Sequence, residues 1–115
     1  MLAVLATGSS DCGRTDTGRL TIEIVSPSTE PSMVTSDPNV PVGGNVDGWS
    51  ILDEAPVIYW RNSATGASGQ TDQLSGTWGI NGGVDLQPGA NHIIVRASNG
   101  VQEDASDSIV VTYQP

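Results

Sequence analysis

The groups in this 115-residue chain that could carry acid–base, nucleophilic or metal chemistry are thirteen acids, one histidine and one cysteine. Their spacing argues against catalysis. His92 falls at the outward parity of an alternating run, and no Gly-x-Ser-x-Gly elbow surrounds any serine. A serine triad needs an imidazole oriented by a carboxylate beside an activated hydroxyl. Asp53-Glu54 and Glu103-Asp104 are adjacent acids in polar segments, whereas glycoside hydrolysis needs two carboxylates facing each other across a cleft. The expectation is a protein that is not an enzyme. A lone Cys12 cannot form an internal disulfide, and one His with one Cys is a poor transition-metal set. Calcium is better served, because it takes clustered oxygens from loops. Asp47, Asp53 and Glu54 bracket one loop that could hold a structural Ca2+, and Glu103, Asp104 and Asp107 crowd another. No Asp-x-Asp-x-Asp-Gly loop occurs, and the competing reading of both groups is solvated surface charge. No motif requires a cofactor.

The aromatic residues carry the other chemistry. Trp49, Trp60, Trp78, Tyr59 and Tyr113 are all of them, with no phenylalanine. Trp and Tyr combine a flat apolar face with one hydrogen-bonding edge, as a ligand that is half apolar and half wet requires. A pyranose is such a ligand: its C–H face lies on a ring and its hydroxyls take polar side chains. Arg61, Asn62, Gln70, Asp72, Asn81, His92 and Arg96 are the polar candidates to partner these rings.

Strand parity divides the rings. Trp60 shares parity with Ile58 and is expected in the core, with Tyr59 outward on a face shared with Ile94, Arg96 and Val110. Trp78 shares parity with Leu74 and Ile80, which favours the core, although glycines around it leave room for an approaching surface. Trp49 follows Asp47-Gly48 in a loop, where it either plugs one end of the domain or stands in solvent.

These residues need a scaffold, and the pattern that would supply it has period two. Leu20–Ile24, Val40–Val46, Val57–Arg61, Leu74–Ile80, Val84–Leu86, Ile93–Ala97 and Ile109–Tyr113 alternate, separated by Gly, Pro, Asn and Asp. A short edge strand is expected at Met33-Val34, and a polar loop or weak edge hairpin over 62–73. No segment holds a helical period. The expected fold is an all-β sandwich of two antiparallel sheets with about seven strands. Residues 19–115 would form this domain, and residues 1–18 a flexible tail rich in Gly, Ser, Thr and Asp. Met1–Ala6 reads as the end of a secretory leader, the alternative being an internal start.

Charge narrows the partners. Thirteen acids face four bases, all arginine, for a net charge of −9. That argues against nucleic acid and against an anionic bilayer, and it fits a solvated extracellular surface or a neutral ligand; the protein is expected to be secreted and monomeric.

The run Leu86-Gln-Pro-Gly-Ala-Asn-His-Ile-Ile-Val-Arg-Ala97, with Val40–Val46, Val57–Asn62, Gly76–Trp78 and Ser108–Tyr113, resembles bacterial immunoglobulin-like domains appended to secreted enzymes and surface proteins. The resemblance implies an immunoglobulin-like sandwich in which Asn91 ties its loop together. It departs at Gly48–Leu52, where such domains have a short polar turn. The chain also looks like the carbohydrate-binding modules of secreted glycoside hydrolases. That resemblance implies a non-catalytic module that holds β-glucan on an aromatic platform near an attached catalytic domain. The ligand-binding set would be Trp49, Trp78, Tyr59, Trp60, Arg61, Asn62, Gln70, Asp72, Asn81, His92 and Arg96. Two alternatives stand beside it: a structural spacer or adhesin module, and a protein-interaction domain using the Tyr59/Ile94/Val110 face.

Overall fold

The computed structural model describes residues 19–50 and 54–115. These form an all-β domain with strands β1 (Thr21–Ser26), β2 (Ser32–Thr35), β3 (Asn39–Val40), β4 (Gly43–Asp47), β5 (Val57–Asn62), β6 (Ser68–Leu74), β7 (Thr77–Gly79), β8 (Val84–Asp85), β9 (Gly89–Ser98) and β10 (Ala105–Tyr113). Eight of them hydrogen-bond in the order β1-β4-β7-β6-β5-β9-β10-β2, and β3 pairs with β8 separately. This corrects the expected two sheets of about seven strands: one large sheet curls over on itself.

The curl comes from β6. Residues from Ser68 to Asp72 pair with β5, while Gln73 and Leu74 pair with β7. Ser75 and Gly76 both have positive φ, 54° and 85°. Such a two-residue loop matches the right-handed twist of a hairpin. The turn resets the side-chain parity, so Leu74, expected inside with Trp78, is 79% exposed.

Inside the curl lie Ile24, Val46, Ile58, Trp78, Val84, Ile93, Val95, Ile109 and Val111. Strand β9 shows the two-residue period most clearly: Asn91, Ile93, Val95 and Ala97 are buried, and Ala90, His92, Ile94 and Arg96 are exposed.

Side chains close both seams of the curl. On one side the Thr71 hydroxyl donates to the Gly79 carbonyl at 2.9 Å. On the other, β2 runs parallel to β10 only from Val110 to Tyr113. Beyond it β1 comes close to β10 without a backbone ladder between them. There the Asp107 carboxylate accepts from the Ile24 amide at 2.8 Å and from the Ser108 amide at 2.9 Å. β1 itself pairs with β4, with a register shift between Ile24 and Ser26. Gly44 lies opposite, and a Cβ there would overlap the Glu23 carbonyl oxygen.

Candidate functional site

Cross-strand register gathers much of the expected polar set on the outer face of β6, β5, β9 and β10. Gln70, Tyr59, Arg96 and Ser106 form one row. Ser68, Arg61, Ile94 and Ser108 form the next. His92 follows opposite Val110, and Asp72 lies opposite Val57 at the other end. Tyr59 and Ile94 are each 36% exposed. With Trp60, Arg61 and Arg96 they line a shallow depression of about 230 Å³.

The Tyr59 ring in this depression is covered by a cation. The Arg96 guanidinium lies 4.8 Å from the centre of the Tyr59 ring, within the range of a cation–π contact. Arg96 is held there by Asp104, at 3.1 Å. Three side chains from β5, β9 and the segment before β10 thus fix one another. The one phenol on this face is covered by a cation, and a sugar would have to displace it to stack.

Of the tryptophans, only Trp60 reaches this depression among the described residues. Trp78 is 5% exposed, and its Nε1 donates to the Asn45 carbonyl at 3.1 Å. It is a core residue, as its parity with Ile80 favours. Trp60, expected in the core, is half-buried and packs against it. Its indole lies over Gly69, where a Cβ would meet Nε1 at 2.9 Å, so the bare glycine makes the seat for the ring. Trp49 is also half-buried against the core. Its neighbours Ile51, Leu52 and Asp53 lie outside the described residues.

Asn62, expected among the ligand-binding residues, is fully buried. Its Nδ2 donates to Asn91 Oδ1 at 3.1 Å and to the Asp85 carbonyl at 3.2 Å, and its Oδ1 accepts from the Ala64 amide. Asn91 is equally buried. It donates to the carbonyls of Gln87, Gly89 and Val111 and accepts from the Gln87 amide. Asn91 ties its loop together as the resemblance implies. Its partnership with Asn62 was not legible, because the two stand 29 positions apart. Asn81 is exposed in the turn after β7 and does not line the Tyr59 depression.

The calcium candidates are dispersed among other partners. Asp47 accepts from the Gly48 amide, and Asp53 lies outside the described residues. Glu103 pairs with Arg19, Asp104 with Arg96, and Asp107 with the two amides of the seam. Among the described residues no group of three or more His, Cys, Asp or Glu is placed to hold a metal ion. No helix among them is long and apolar enough to cross a membrane.

Among the described residues the arrangement supplies no row of open rings. It supplies a rigid sheet face with a modest apolar patch between two arginines. No protein-family model matches the chain, and no curated protein matches it.

Proposed function

We propose that the chain is a non-catalytic immunoglobulin-like module of a secreted or surface protein, which spaces or presents neighbouring domains rather than gripping a glycan. One observation carries this reading: all three tryptophans pack on the core, and the exposed Tyr59 is capped by Arg96. A β-glucan platform asks for several open rings in line, because stacking on one ring is weak. The immunoglobulin-like assignment has its own support. The N-terminal segment serves both layers of the curl, pairing first through β1 with β4 and then through β2 in parallel with β10. A buried tryptophan and alternating inward residues are consistent with such a sandwich.

The Tyr59/Ile94 strip favours a second reading, a protein-docking face, because exposed apolar residues flanked by arginine are common at interfaces.

Affinity electrophoresis in gels containing soluble β-glucans tests the spacer reading, which expects unchanged mobility with every glucan. Retardation by any of them would restore the carbohydrate-binding module. Iodide quenching complements it: Trp78 should be protected, and Trp49 and Trp60 only partly reached.

A further inference from the structure

The chain contains two Asn-Gly pairs, Asn81-Gly82 and Asn99-Gly100, and the fold treats them oppositely. Asn-Gly is a chemically labile pair. Glycine has no Cβ, so its amide nitrogen can reach the side-chain carbonyl carbon of the preceding asparagine with little hindrance.

Asn99 is held against that reaction. Its Nδ2 donates to the Glu54 carbonyl at 3.0 Å and to Gln102 Oε1 at 2.8 Å. Its Oδ1 accepts from the amides of Val101 and Gln102 at 3.1 and 2.9 Å. Four hydrogen bonds fix the amide group, and the residue is half-buried. Asn81 is exposed, and its side chain makes no hydrogen bond among the described residues. Its turn is closed by the Gly83 amide donating to the Ile80 carbonyl at 3.0 Å, and the Gly82 amide makes no hydrogen bond among the described residues.

We propose that Asn81-Gly82 is a site of spontaneous self-modification in the folded protein, and that Asn99-Gly100 is protected. The Gly82 nitrogen loses its proton to hydroxide and attacks Cγ of Asn81. A new N–Cγ bond forms, the Cγ–Nδ2 bond breaks, and ammonia leaves, giving a five-membered imide. Water then opens the ring. Addition at Cγ gives an aspartate at position 81; addition at the main-chain carbonyl gives an isoaspartate, with one extra carbon in the backbone. Either product adds a negative charge to a chain already at −9. The isoaspartate also lengthens the turn between β7 and β8. The Gly82 carbonyl of that turn accepts from Asn39 Nδ2, and the same Nδ2 donates to Asp85. The modification therefore loosens the β3–β8 pair.

The test is incubation of the folded protein at mildly alkaline pH, followed by peptide mapping by mass spectrometry and enzymatic methylation of isoaspartate. A parallel sample is kept unfolded in urea. Modification at Asn81 should outrun that at Asn99 by about tenfold or more in the folded protein, the factor set by releasing a hydrogen-bonded side chain. In urea the two rates should converge. An Asn81→Gln variant, which cannot form the five-membered ring, should keep its circular dichroism and lose the methylation signal. Equal rates in the folded protein, faster reaction at Asn99, or no reaction at Asn81 would overturn the proposal.

Discussion

At the residue scale, the chain spends its most specific polar chemistry on architecture. Asn62 and Asn91 are buried, and between them they satisfy the backbone where β5, the loop before β9 and β10 meet. A buried amide whose partner is removed costs about 1–3 kcal/mol, more than a made hydrogen bond contributes. Asn91→Ala strands the Gln87 amide and the Val111 carbonyl together, so a loss of about 3 kcal/mol or more is expected. Asn62→Ala leaves Asn91 bonded to its loop and should cost about half as much. Urea unfolding of the two variants checks the order, and a milder effect at Asn91 would contradict it. The sequence reveals half of this pair. The Pro-Gly turn before Asn91 announces a side chain that closes a loop, whereas Asn62, at the polar end of an alternating strand, looks like a surface residue. What separates them is tertiary: the inward parity of β5 (Ile58, Trp60) continues two residues past Trp60, to Asn62 in the core.

At the element scale, strand existence was legible and strand partnership was not. Alternation marks β1, β5, β9 and β10, because each buries one face. It says nothing about β6, which buries none of its seven residues fully, nor that β6 would bind both layers. The Ser75-Gly76 turn was hidden inside the run from Leu74 to Ile80, so the run was read as one strand. The seams escape the pattern for the same reason: a side chain bridges each, and periodicity reports only which way a residue faces. Asp107 gives the clearest prediction at this scale. Two main-chain amides, on β1 and β10, point at one carboxylate. Asp107→Asn substitutes a donor for one acceptor, so one amide faces an NH2 group. The expected loss is about 1–3 kcal/mol. Hydrogen exchange supplies the specific readout: the Ile24 amide should exchange faster, while the Ile93 amide, in the middle of the β9–β10 ladder, should change only with global stability. Unchanged exchange at Ile24 would mean that β1 holds to the sheet through β4 alone.

At the scale of the whole molecule, charge is the dominant feature left over from the fold. A net charge of −9 on 115 residues, with no lysine, makes the surface repel itself. The visible ion pairs do little to offset this. Arg19 and Glu103 are paired at 3.4 Å with side chains 80% and 82% exposed, and such pairs contribute little that can be measured. Arg96 and Asp104 are better placed, but their role is to fix Arg96 over Tyr59. Screening should therefore help this protein more than it harms it. Between about 0.01 M and 0.15 M salt the Debye length falls from about 30 Å to about 8 Å. Repulsion spread over the whole surface is then cut, while the short contact pairs are affected less. The thermal midpoint is expected to rise over that range in sodium chloride. The choice of salt decides what is learned: sulfate stabilises folded proteins by exclusion from their surface whatever their charge, so a rise in sulfate alone would be uninformative. A fall in chloride would mean that local pairs, above all the Arg96–Asp104 clasp, outweigh the global repulsion. An Arg96→Gln variant would separate the two, since it removes the clasp and makes the net charge more negative by one. Its midpoint should then climb more steeply with salt than that of the parent chain.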